Sequence, residues 1–370
     1  TRILADQGAE VVKVEPPEGD LSRTFPPFGE GGVTPYFAQQ NSGKRFCSVD
    51  LRAEGASELL LKLVESCDVL VENFRPGVMD RYGLGPQTLC ERFPALVYCS
   101  ITGFGQTGPW ADRRAYAPIG HLESGLLEYD ARQTERTARQ PALVLGDAVT
   151  AMMAASSMNA LLVQAARRGV GGHLDVCMVE SLVYMQEWVA TELNGGWVGT
   201  NNGNCDQTPV MQLADGRVWG LAGNPVTWFE YLADAMDRPE LLEDPRFAEL
   251  ETREAHRAEL VAIVAEWAGG FATFDEFRTQ LETKTPFTVA ELRSISDLAS
   301  TDWAEHRQLT TTTDVGIDVP SRPAHGVGIG TTGHVAARGA DNRAVISDVL
   351  GLDAAAIDEL ERQGVLIAQS

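Results

Sequence analysis

Residues 144–157 read VLGDAVTAMMAASS, and one carboxylate, Asp147, stands directly before an uncharged run from Ala148 to Ala166. Arg167, Arg168 and Gly169 follow, cations against the negative end of a helix and a glycine to close it. Asp147 is therefore expected at the start of this helix. There its oxygens can accept bonds from backbone N–H groups that have no partner within the helix, in the positive end of the dipole. Both effects favour the ionised form. Most aspartates so placed are caps that do no chemistry. A carboxylate held anionic at a helix start can also attack acyl groups, and the local pattern does not separate the two roles. Metal chemistry has less to build on: the six histidines are scattered, and none has a ligand spacing such as HExxH. No metal is implied.

Elements that could position Asp147 are legible on either side of it. Apolar runs at Glu10 to Val14, Cys47 to Leu51, Asp68 to Asn73, Ala95 to Ile101 and His173 to Met178 predict strands. Helical stretches fall at Glu54 to Ser66, at Pro86 to Arg92 with proline in the first turn, and from Val179 to Leu193. Strands alternating with helices at this spacing predict a parallel, doubly wound α/β sheet. The opening, TRILADQGAEVVKVE, reads as the second half of a helix running into a strand, so a preceding segment is expected.

The composition changes at NGGWVGTNNGN, Asn194 to Asn204, which is either a flexible linker or a loop closing over a site. Beyond it, VMQLADGRVWGLA predicts a β-hairpin about Ala214, Asp215 and Gly216, and amphipathic helices run on through Leu292. This is expected to be a second, smaller α/β domain. Residues 299–325 read as a connecting stretch, and the chain ends in a predicted pair of helices.

A chain of 370 residues with 44% hydrophobic content buries a large core. Its net charge of −22 argues against general nucleic-acid or anionic-membrane binding and for a soluble, cytoplasmic-type surface. Residues 1–120 hold 12 Lys and Arg against 15 Asp and Glu, which leaves −19 for the other 250 residues. The first third would best tolerate a polyanionic ligand. Cys47, Cys67, Cys90, Cys99, Cys177 and Cys205 form no CxxC pair and read as reduced, buried thiols. The Ala148–Ala166 run carries too many Ser, Thr, Asn, Gln and Ala residues for a convincing membrane span and reads as a core helix.

Several stretches in order, GAEVVKVEPPEGDLSR, NSGKRFCSVDL, DVLVENFRPGVMDRYGLG, LVYCSITGFGQTGP, the LGDAVTAMMAASS run, GVGGHLDVCMVESL and RGADNRAVISDVLGL, resemble the family III CoA-transferases. That group includes formyl-CoA:oxalate and carnitine CoA-transferases. The resemblance implies an open, Rossmann-like large domain built from both chain ends, with a smaller α/β domain inserted, in an interlocked homodimer. On this sequence the large domain would be 1–193 and 326–370, the small domain 206–298, and the linkers 194–205 and 299–325. The family's nucleophile matches Asp147. It would attack an acyl-CoA thioester to give a mixed anhydride and then an aspartyl-CoA thioester, from which a second carboxylic acid takes the CoA. The resemblance implies no permanently bound cofactor; the CoA thioester is the substrate. Arg23, Lys44, Arg81 and Arg114 match positions that contact CoA, and Gly103 to Pro109, with Gly103 and Gly105, look like a backbone-donor loop beside the thioester. Arg75, in ENFRPG, reads as structural, orienting the turn made by Pro76 and Gly77.

Tyr116 matches the tyrosine of the transferases, where related racemases of 2-methylacyl-CoA have a histidine. The next position, usually acidic, is Ala117, and His121 stands where glutamine is typical. Ala151 replaces a common glycine. An imidazole near a thioester could act as acid or base, so His121 joins Asp147 and Tyr116 among the catalytic candidates, although a buried structural histidine is the commoner case. Three readings follow: a CoA-transferase using Asp147, an isomerase in which His121 and Asp147 exchange an α-proton, and a noncatalytic acyl-CoA-binding paralogue.

Overall fold

Five short parallel strands carry the first half of the chain. The computed structural model describes residues 1–28, 33–134, 136–195, 209–326 and 330–367. They divide into two compact units: residues 1–127, 140–186 and 299–370 form the first, and residues 128–139 and 187–298 the second.

The first unit begins α1 (Arg2–Asp6), β1 (Val11–Glu15), α2 (Pro35–Asn41), β2 (Lys44–Ser48), α3 (Ala56–Glu65) and β3 (Val69–Glu72). It continues α4 (Val78–Arg81), α5 (Pro86–Arg92), β4 (Val97–Thr102) and α6 (Ala117–Glu123). After α7 (Leu126–Thr134), most of which belongs to the second unit, come α8 (Leu145–Arg168), β5 (Gly172–Cys177) and α9 (Met178–Met185). The second unit holds α10 (Val189–Leu193), β6 (Val210–Gln212), β7 (Val218–Ala222), α11 (Phe229–Ala235), α12 (Leu250–Ala255), α13 (Arg257–Gly269), α14 (Phe274–Lys284) and β8 (Thr288–Glu291). Then α15 (Ile295–Ala299) leads back to the first unit and to α16 (Asp302–His306), β9 (Thr310–Thr312), β10 (Asp318–Pro320), α17 (Asn342–Leu350) and α18 (Ala354–Arg362).

The parallel strands make two sheets, β1-β2 and β3-β4-β5. Successive side chains of β4 alternate between the two faces of its sheet. Tyr98 points into a core with Leu84 and Leu89 on the α4–α5 side, whereas Val97 and Cys99 pack with Ala154 and Met158 of α8. On the β1-β2 sheet, Cys47 and Val49 share a core with Val345, Ile346, Ile357 and Val365 from the end of the chain. Beginning and end of the sequence thus fold into one unit. A bridge from Val49 to Leu366 adds a backbone link.

In the second unit β6, β7 and β8 form an antiparallel sheet. Gly216, with φ of 91°, supplies the positive dihedral that the turn between β6 and β7 needs. Trp219, Phe277 and Leu260 are fully buried in that unit's core.

Several expectations need correction. The helix expected from Val179 to Leu193 is two helices, because Gln186 is extended (ψ 119°) and its side-chain amide bonds the carbonyls of Leu182 and Ser124. The stretch 299–325, expected only to connect, carries α16 and the β9–β10 hairpin. Cys67 is exposed, since the strand starts at Val69, and Cys90 is half-buried. Burial pushes the thiol of Cys47 up to about 12 and that of Cys99 up to about 11. Gly196, Gly199, Gly203 and Cys205, and with them the choice between lid and linker, lie outside the described residues. Among the described residues, α8 is long and apolar enough to cross a membrane; Ala154, Ala155 and Met158 are buried in the unit, but most of the helix is not, so it is not the core helix expected.

Candidate active site

Asp147 lies in the first turn of α8, as its third residue rather than its cap. The helix begins at Leu145 because Gly146 is helical already and is held from several sides. Its N–H donates to Nε2 of His121 (3.0 Å), and its carbonyl accepts from Thr150 Oγ1 (2.6 Å). A Cβ at Gly146 would come within 2.9 Å of Met178 Sδ and 3.2 Å of Ala117 Cα, so only glycine lets α6, α8 and α9 approach this closely. The side chain of Asp147 is exposed, and among the described residues no hydrogen bond is made to its carboxylate.

The electrostatic expectation changes accordingly. With no backbone N–H bound to it, the carboxyl of Asp147 is raised from its ordinary value by partial desolvation, a push that only a positive charge on His121 would oppose. The capping bonds that were expected to hold it ionised are not made.

His121, in α6, is 2% exposed, and both ring nitrogens are engaged: Nδ1 with Gln140 Oε1 (2.8 Å), Nε2 with the Gly146 N–H. Tyr116 is the residue before α6 and is 74% exposed. Its neighbour Ala117 abuts Gly146, so Tyr116 and Asp147 each stand one residue from the same contact. The Gly103–Pro109 loop leaves the carboxyl end of β4. A Cβ on Gly103 would fall 2.2 Å from that of Ala115, and Gly105, at φ 90°, bends the chain so that its N–H meets Thr102 Oγ1 (2.9 Å). Asp175 of β5 holds the same loop by accepting the Gln106 N–H (2.8 Å). Asp147, His121, Tyr116, Gly103 and Gly105 are thus brought to the carboxyl-end edge of β4 and β5, where open α/β sheets bind their ligands.

The basic residues divide. Arg23 lies inside, its guanidinium paired twice with Glu15 (2.8 Å each), bonded to Ala336 O (3.1 Å) and stacked 3.7 Å over Phe37. Lys44 is 5% exposed and donates to Gln40 O (3.0 Å) and Asn41 Oδ1 (2.7 Å), closing the end of α2, and burial pushes its ammonium down to about 7. Arg81 and Arg114 are exposed and make no ion pair among the described residues.

One residue escaped the sequence reading. Tyr36, second in α2 behind the Thr34 cap and Pro35, has its phenol raised first by desolvation and then by the charges of Asp147 and Asp20. The charge of Asp147 thus reaches its phenol, and the ring of Phe25 lies 5.3 Å from its own. No periodicity or spacing marks it, because the approach is made between residues far apart in the chain.

The family model described as CoA-transferase family III matches residues 1–333. The succinyl-CoA--D-citramalate CoA-transferase of Chloroflexus aurantiacus is 31% identical over 371 residues, 95% of this chain and 90% of that one. The acetyl-CoA:oxalate CoA-transferase of Acetobacter aceti is 35% identical over 71% of this chain and 69% of its own length. The succinyl-CoA:mesaconate CoA-transferase of Haloarcula hispanica is 33% identical over 85% and 81%. Among solved structures, a CAIB/BAIF family protein from Brucella suis superposes with a TM-score of 0.80 at 26% identity, covering 94% of each chain.

Proposed function

Because the chain belongs to CoA-transferase family III, we propose that it moves CoA from an acyl-CoA to a free carboxylic acid through a covalent bond to Asp147. The observation that carries this is the exposed carboxylate, free of capping bonds, in the first turn of α8 at the carboxyl edge of β4 and β5. A carboxyl raised from its ordinary value is the stronger base toward a thioester carbon.

The steps balance without an outside reagent. The Asp147 carboxylate attacks the thioester carbonyl; the carbon–sulfur bond breaks, leaving a mixed anhydride and CoA thiolate. The thiolate attacks the aspartyl carbon of the anhydride and releases the donor acid, so that Asp147 carries CoA. An acceptor carboxylate attacks that thioester, forming a second anhydride and thiolate. Attack of the thiolate on the acceptor's acyl carbon makes the new acyl-CoA and restores Asp147. Exposed Tyr116 is the donor we assign to carbonyl oxygens that gain charge in these steps, because the N–H groups of Gly105 and Gln106, expected as backbone donors, are already bonded to Thr102 and Asp175. The exposed cations Arg81 and Arg114 are free for the phosphates of CoA, while Arg23 and Lys44 hold the scaffold.

Succinyl-CoA is the donor we assign, with a dicarboxylic acid as acceptor, since relatives named for citramalate, mesaconate and glutarate all pair these acids with succinyl-CoA or succinate. The isomerase reading needs a free imidazole nitrogen at position 121, and neither is free. Self-association is part of the proposal. The outer face of α8, with Ala148, Met152, Ser156, Ala160 and Val163, is exposed and uncharged, as suits a face covered by a second copy.

The test is exchange between succinyl-CoA and a panel of dicarboxylates, with intact-mass measurement of the protein. A CoA adduct that hydroxylamine removes is expected, and Asp147→Ala should bind CoA but lose exchange by at least about 1,000-fold, the order of a lost nucleophile. Exchange at an unchanged rate in that variant would refute the nucleophile.

A further inference from the structure

We propose that His121 is a positioning residue for this transfer, a neutral imidazole locked in the Nδ1–H tautomer that holds the first turn of α8, and with it Asp147, in place. The inference rests on Asp147 being the nucleophile. It assigns to His121 a role other than the acid or base that its chemistry first suggests.

The tautomer follows from the partners. The Gly146 N–H can only donate, so Nε2 must accept (3.0 Å). Gln140 settles the other nitrogen: its Nε2 donates to Pro118 O (3.0 Å), which turns its Oε1 toward the imidazole, and an amide oxygen only accepts. Nδ1 must therefore carry the proton (2.8 Å). Both contacts demand one tautomer. A proton on Nε2 would break the bond to Gly146 and set a cation beside Asp147, the charged group on α8 that faces it; α9 packs Met178 and Leu182 against Gly120, next in the chain to His121. On α6 itself, Glu123 is occupied by Arg113.

The turn that His121 holds has no slack. Met178 Sδ would lie 2.7 Å from a Cβ on Gly120 and 2.9 Å from one on Gly146, so α6 and α8 both close on the same sulfur. The Gly146 peptide is tied at its N–H by His121 and at its carbonyl by Thr150. Asp147 is the next residue. The transfer cycle, moreover, exchanges only carboxylates and thiolates and moves no proton, so it has no step for an imidazole acid or base. What it needs is a carboxylate fixed in reach of the thioester carbon, where a displacement of about 1 Å can cost on the order of 100-fold.

Three variants and one spectrum test this. His121→Ala should lower kcat roughly 10- to 100-fold while KM for succinyl-CoA stays within about 2-fold, a loss of geometry rather than binding. His121→Gln, able to accept from Gly146 and donate to Gln140, should recover most of that rate; His121→Phe should not. If His121→Gln is as slow as His121→Ala while both fold and bind CoA, the positioning role is overturned in favour of acid or base catalysis. Nitrogen-15 shifts of the His121 ring in the wild-type protein report the tautomer directly. A protonated Nδ1 with a bare, hydrogen-bonded Nε2 is expected, and the opposite tautomer or a charged ring at neutral pH would sink the proposal even if no variant folds. Undiminished exchange in Asp147→Ala would overturn the nucleophile without altering the spectrum, so the two failures are distinguishable.

Discussion

The surroundings of Arg23 favour a structural role over the CoA contact expected for it. Its side chain is 9% exposed and that of its partner Glu15 is wholly buried, so this pair is removed from water with both carboxylate oxygens bonded. Removing one partner of such a pair leaves a buried charge alone, at a cost of about 3–5 kcal/mol. Arg23→Ala should therefore lower the denaturant midpoint of the first unit strongly. The Arg23→Met, Glu15→Gln double variant should recover part of it, and CoA affinity in the folded fraction should hardly change. A loss of CoA affinity without a loss of stability would return Arg23 to the ligand. Lys44 teaches the same lesson. Its ammonium, pushed down to about 7 by burial, serves the end of α2, and α2 carries Tyr36 toward Asp147.

At the scale of elements, the C-terminal segment is fastened to β2 by an imidazole between two carboxylates. His334 meets Asp314 at 2.9 Å, in the turn between β9 and β10, and Asp341 at 3.2 Å, ahead of α17; Asp341 also accepts the Phe46 N–H (2.7 Å). Burial works against the charged ring, but the bonds to Asp314 and Asp341 outweigh it, and the pKa of His334 is raised from its ordinary value. A raised value in the folded state means stability that is fully present below the unfolded-state value and lost as pH rises through the folded one. The stability gap between wild type and His334→Gln should therefore be widest in mildly acidic solution and shrink toward alkaline pH, as read from urea melts across that range. A gap that grows with pH would contradict the charged clamp. Because the ring is partly exposed, solvent screening keeps the effect modest.

For the whole molecule, the outer face of α8 leads to an expectation about assembly. Met152 and Val163 are 61% and 52% exposed on a helix that also holds the candidate nucleophile. Met152→Lys places a charge in the centre of that face and should shift the protein toward monomer in light scattering, since an unpaired charge is costly in a buried interface. An unchanged mass would show that this face is not covered by a second copy. Assembly would then depend on other surfaces of the two units.

Much of the scaffold was legible in the residues. Pro86 to Arg92 is a helix as expected, Gly169 closes α8 with φ of 67°, and the five predicted parallel strands are present with ends shifted by one to three residues. These features are short-range: hydrophobic alternation, a proline at a first turn and a glycine in the left-handed region act within a few residues of themselves. The position of Asp147 in the first turn of a long apolar helix was legible for the same reason. Tertiary structure alone decided that its capping bonds are absent, that His121 is spent on Gly146, and that its charge reaches Tyr36. It also decided that the Arg23 guanidinium is bonded to a carbonyl 313 residues away. A charged or polar side chain takes whatever partner the folded chain brings within about 3 Å, and sequence order carries no record of that encounter.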